Sequence, residues 1–144
     1  MKKPLICNIK VPLFVRNAYK DIFNDFVSDM SFVEAIENGF VRVYDNPNCM
    51  PVDIVGPITK IQFNNRSIED CIEFNVYDTK SGKFIKSMLD MNCYIYSVPI
   101  FELNRYKGNP TNLIGFGVFT VNENISVDVE YDNFILTKVI RRKT

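Results

Sequence analysis

The chain of 144 residues is 47% hydrophobic, with 12 Phe and 7 Tyr, and its 17 basic and 17 acidic side chains cancel to a net charge of zero. That is enough apolar material for one packed core in a single globular domain spanning 1–144, and it excludes a disordered chain, which needs low hydrophobicity and high net charge. Zero net charge also disfavours a domain built around nucleic acid, whose affinity draws heavily on counterions displaced by Lys and Arg.

The N-terminus opens as Met1-Lys2-Lys3-Pro4-Leu5-Ile6-Cys7 but does not continue as a signal peptide, because Asn8, Lys10 and Pro12 break the apolar run. Leu5, Cys7, Ile9 and Val11 alternate as in an extended strand, with Pro4 and Pro12 placing it at an edge. From Asn17 the period changes. Tyr19, Ile22, Phe23, Phe26, Val27 and Met30 recur at helical spacing and predict one face of an α-helix over 17–30. Asp21, Asp25 and Asp29, four apart, form an acidic ridge that reads as a solvated face. Ser31-Phe32-Val33-Glu34 reads as a capping box that starts a second short helix after a bend, and Gly39 supplies the left-handed residue that stops it.

Strands follow. Phe40–Tyr44 is short and closes on the turn cluster Asp45-Asn46-Pro47-Asn48. Val52–Phe63 is extended around Gly56-Pro57, and in Ile68–Tyr77 the residues Ile72, Phe74 and Val76 alternate with Glu73 and Asn75. Asp78–Gly82 reads as a turn before a further strand, Lys83–Met88. Cys93–Leu103 and Leu113–Val121 are apolar on both faces, as central strands are. Ile125–Tyr131 and Phe134–Ile140 complete the set, followed by a basic tail of Arg141, Arg142 and Lys143. The expected fold is α+β and β-dominant: a helical segment at about 17–38 packed on an antiparallel meander, a small barrel or a sandwich.

The chemistry the chain lacks is informative. It contains no His, so it has no Ser–His or Cys–His pair and no histidine general base. A zinc site would need all four thiolates, and Cys7, Cys49, Cys71 and Cys93 have no ligand-like spacing. Gly115-Phe116-Gly117 lacks the third glycine of a pyrophosphate cradle and reads as relief where another backbone approaches. Asp128, Glu130 and Asp132 could line a groove, but read as the wet face of an outer strand. Catalytic, cofactor-binding and metal-ligating residues are therefore expected to be absent.

What remains is contact. The loop over 104–112 carries Arg105, Tyr106, Lys107 and Asn109 and is a candidate partner surface, with Arg141, Arg142 and Lys143 as a second. With 16 Asn, 16 Ile and 11 Lys against two Ala, the codon usage points to a low-GC genome. The expectation is a non-enzymatic structural or interaction protein, such as a small virion or assembly accessory subunit of a low-GC phage or bacterium. Its partner would be another protein or a further copy of itself, in the cytoplasm or a virion, with no run of about 18 apolar residues to cross a membrane. The alternative is a small β-barrel module binding single-stranded nucleic acid or peptide, with Tyr94 and Tyr96 beside the basic loop as stacking platforms.

Overall fold

The structure, a computed structural model, describes residues 4–45, 54–64, 70–103, 110–121, 126–132 and 135–142. Along the chain run β1 (Leu5–Pro12), a 3-10 turn at Asn17–Tyr19, α1 (Lys20–Ser28), α2 (Met30–Glu37), β2 (Arg42–Tyr44), β3 (Ile54–Gln62) and β4 (Cys71–Tyr77). Next come α3 (Lys80–Asp90), β5 (Tyr94–Leu103), β6 (Pro110–Val121), β7 (Ser126–Asp132) and β8 (Ile135–Arg142). Six strands form one sheet in the order β1-β4-β3-β2-β6-β5, and β7 pairs with β8 alone. The architecture is α+β and strand-rich, with the six-stranded sheet curled into a half-barrel.

Neighbours in the sheet are antiparallel except β2 and β6, which run parallel from Arg42↔Gly115 to Tyr44↔Gly117. The meander β2-β3-β4 and the hairpin β5–β6 are thus joined through the three residues of β2. The edge strands curl towards each other and touch at one point. There Leu13 bridges Ser97, the Phe14 N–H donates to the Ser97 carbonyl (2.9 Å), and the Ser97 hydroxyl donates to the Pro12 carbonyl (2.8 Å). Pro12 and Pro99 flank this bridge and have no N–H to extend it into a ladder.

The core lies inside the curl. Ile9, Val11 and Leu13 of the first strand segment, Ile72, Phe74 and Val76 of β4, and Phe101, Phe116 and Val118 of β5 and β6 are all buried. Buried Asp70 ties two segments together: its carboxylate accepts from the Asn64 N–H (2.8 Å) and its carbonyl from the Leu13 N–H (3.0 Å). Gly115 answers the expectation of close approach, since a Cβ there would lie 2.6 Å from the Arg42 carbonyl oxygen and 2.9 Å from the Tyr44 ring.

The bend between α1 and α2 is present, but the cap differs from the expected one. Asp29 is extended (φ −69°, ψ 134°), and its carboxylate accepts from both the N–H (2.8 Å) and the hydroxyl (2.6 Å) of Ser31. The aspartate two residues earlier reaches the free N–H groups first and engages the serine that was expected to cap. At the other end Gly39 is left-handed (φ 74°), its N–H donates to the Ile36 carbonyl, and the Phe40 N–H donates to the Ala35 carbonyl. That is the double hydrogen bond of a Schellman ending.

The segment 83–88 is a correction: it is helical, inside α3, and the expected turn at 78–82 is the start of that helix. Thr79 caps it by accepting from the Gly82 N–H (3.1 Å). Its first buried turn is made of Ser81 and Gly82, which carry no hydrophobic signal, so the helical period is visible only from Ile85 onwards. Asn92, left-handed at φ 60°, ends α3 with the same pair of bonds as Gly39, from Asn92 N–H to Leu89 and from Cys93 N–H to Met88. A second correction concerns Arg141 and Arg142, which continue β8 opposite Val127 and Ser126 where a loose tail was expected.

Candidate docking groove

Two concave surfaces flank α2. One, of about 680 Å³, lies between the end of α2 and the outer face of β3 and β4, and includes Ile36, Asn38, Pro57, Thr59 and Asn75. Its floor is already knitted: the Asn8 side-chain amide donates to Asn75 Oδ1 (3.0 Å) and Thr59 Oγ1 (3.3 Å), spending polar groups that a ligand would use. The other, of about 480 Å³, separates α1 and α2 from β6.

The helical wall of this second groove follows from the bend. α1 stops at Ser28 and α2 restarts at Met30, and Phe26, Asp29, Ser31 and Phe32 from either side of the bend all line the groove. Phe26 stacks at a tilt against Phe101 (centroids 6.1 Å apart), while Phe23 is wholly buried and meets Phe63 and Phe116 edge-on (4.8 and 6.1 Å). These rings hold the helices off the sheet at one end and seal them to it at the other. The sheet wall is Thr111–Ile114 of β6, with the Thr111 hydroxyl anchored on the Glu102 carbonyl (3.2 Å). Phe40 also lines the groove.

The lining of the groove mixes apolar residues with the polar side chains of Asp29, Ser31, Thr111 and Asn112. No Lys or Arg is among its described lining residues, whereas Asp29 is. The Ser31 hydroxyl and N–H hold the Asp29 carboxyl below its ordinary range, so it stays charged in mildly acidic solution. Two large apolar side chains stand in water here: Phe40, which lines the groove, and Met30, next in sequence to the lining residues Asp29 and Ser31, are each 70% exposed.

The residues singled out from the sequence fall elsewhere. Arg105, Tyr106, Lys107 and Asn109 lie outside the described residues, as does Lys143. The backbones of Arg141 and Arg142 belong to β8, on the separate hairpin. Tyr96 is committed within the fold, its ring 5.3 Å from that of Phe14 and 5.7 Å from that of Phe119, whereas Tyr94 is exposed. Cys7 and Cys71 carry free thiols, and burial pushes the Cys71 thiol up, which makes it a poor nucleophile. Among the described residues no group of three or more Cys, Asp or Glu is placed to hold a metal ion, and no helix is long and apolar enough to cross a membrane. Sequence reasoning missed the groove because it is made by a gap between two elements. The one available signal was Phe40, a large aromatic directly after a helix stop.

No protein family, curated protein or solved structure matches the chain.

Proposed function

We propose that this chain is a non-enzymatic interaction protein, a component of a larger assembly, and that it takes a protein partner in the groove between α1–α2 and β6. The observation that carries the reading is a pair of exposed apolar side chains, Phe40 in the lining of the groove and Met30 next in sequence to its lining residues Asp29 and Ser31. Leaving a side chain of that size in water forgoes about 1.5–3 kcal/mol each relative to burial. A partner that covers both recovers this stabilisation, and large apolar side chains around a cleft are what interface centres use. The absence of His throughout the sequence supports a role in binding over catalysis. A particle subunit of a low-GC phage or bacterium is the assembly that the residue usage suggests.

The test is solution mass by light scattering on the full chain, alone and as purified from its native lysate. The expected result is an associated species that is lost in a Met30→Ser, Phe40→Ser double variant whose unfolding midpoint is unchanged. A monomer with nothing copurifying, unaffected by the double variant, would overturn the reading.

A further inference from the structure

We propose that the occupant of this groove is a cationic, apolar peptide segment of another protein, in which Lys or Arg residues accompany a large aliphatic or aromatic anchor. The proposal rests on the reading of the groove as a docking site, and adds the chemistry of what docks.

Charge is segregated along this neutral chain. Residues 17–38 hold one base, Lys20, against five acids, Asp21, Asp25, Asp29, Glu34 and Glu37, so one positive and five negative charges leave the segment at −4. All five acids are exposed. The two ion pairs found among the described residues, Lys83–Asp78 and Lys86–Asp90, involve α3 and neutralise none of them.

Of these carboxylates Asp29 lines the groove, while Asp25 precedes the lining residue Phe26 on α1 and Glu34 precedes the lining residue Ala35 on α2. On the opposite wall, exposed Glu102 pairs in register with Asn112 across β5 and β6. Asp21 and Asp25, four apart on α1, repel mildly, and a nearby cation relieves that repulsion. A concave surface with one sign of charge and low-dielectric walls also focuses its field on whatever enters.

The floor sets the second requirement. Phe26, Phe32 and Leu113 in the lining offer apolar contacts for an anchor, with exposed Phe40 beside them. A polycation without an anchor leaves those apolar residues wet, and a polyanion such as single-stranded nucleic acid meets the Asp29 carboxylate and a helical segment of charge −4. Only a segment carrying both features satisfies rim and floor together.

Three synthetic peptides of about 12 residues, a length that spans such a groove when extended, separate the possibilities. One alternates Lys with Leu around a central Phe, one replaces each Lys with Glu, and one replaces each Leu and Phe with Ser. Each is titrated into the isotope-labelled full chain while amide shifts are followed. The expected result is that only the Lys–Leu peptide shifts amides of 29–41 and 111–114, and that added salt weakens it. Asp25→Lys with Glu34→Lys is expected to lower its affinity about tenfold, the size of a lost close charge contact.

Equal binding of the Glu peptide would overturn the proposal while leaving the groove a docking site. Concentration-dependent shifts at the groove without peptide would overturn it in favour of a second copy. If no peptide moves these amides the proposal fails, and the Met30/Phe40 variant then decides separately whether the groove supports association.

Discussion

Both helical layers cover the same curled sheet, but they are attached to it in different ways. Between α3 and the sheet there is almost no distance: a Cβ at Gly82 would sit 1.8 Å from the Tyr77 carbonyl oxygen and 3.2 Å from a Val76 methyl. Ser81 beside it is buried and donates to the Asp45 carboxylate (2.9 Å), so the helix start is fixed by small residues and a hydrogen bond. By contrast, α1 and α2 stand on aromatic rings. Phe23 fills the space between helix and sheet at one end, while Phe26 and Phe32 line an open groove at the other. Close backbone contact leaves no room for a ligand, whereas packing through large side chains spaces the layers and leaves a concavity wherever the rings run out. On the proposed reading, the contact surface belongs to α1–α2, where the attachment leaves space.

The largest effect that would probe this contrast is expected from Phe23→Ala. The ring is fully buried between Phe63 and Phe116, and its loss should cost about 4 kcal/mol through lost transfer energy and the cavity left behind. Urea unfolding measures the loss. Amide exchange then locates it, and should accelerate in 20–37 well before 80–90. Equal acceleration in α3 would mean that the two layers open as one unit and that the contrast is not energetic.

Gly82→Ala probes the other layer and comes next in size. Helix propensity alone predicts that alanine stabilises an interior helix position by about 1 kcal/mol. The close approach predicts the opposite sign, a loss of about 3 kcal/mol, because backbone is the obstacle and α3 or β4 must shift. Exchange should now rise first in 80–90. A stabilised Gly82→Ala protein would show that the helix can lift without penalty, and the tight attachment would lose its meaning.

How far these two layers are legible in sequence follows from the same physics. The helix over α1 could be read because Phe23, Phe26 and Val27 bury large apolar groups at helical spacing. The start of α3 could not, because Ser81 and Gly82 bury backbone and a hydroxyl, which hydrophobic periodicity does not register. Gly39 was readable as a helix stop, while Asn92, equally left-handed, sits in Met91-Asn92-Cys93 with no glycine to mark it. The β-dominant fold followed from alternation in β1 and β4. The parallel pairing of β2 with β6 did not, since a register between residues 42–44 and 115–117 leaves no local trace. The groove belongs to this second kind: its walls are at least 70 residues apart in the chain (from Val41 to Thr111), and only their meeting defines it.

The smallest expected effect concerns Asp29, where the cap of α2 and the wall of the groove are the same side chain. Its carboxyl is lowered from the ordinary 3.8, first by the Ser31 hydroxyl, then by the Ser31 N–H, with the Phe32 N–H adding less, all against a small opposing effect of desolvation. A carboxyl lowered on folding adds stability that is complete above the ordinary value and disappears as pH falls through the lowered one. The wild-type chain should therefore lose a small increment of stability below about pH 4, with exchange in α2 rising first. Asp29→Asn keeps an oxygen for the Ser31 N–H but has no proton to take up, so its contribution should stay flat across that range. Comparing the two unfolding curves from pH 6 to 3 cancels the other carboxylates (about the range in which Asp and Glu titrate). If the difference is the same at both ends, Asp29 does not couple its charge to the cap. In that case, the acidic rim beside α2 is held by the fold and not by ionisation.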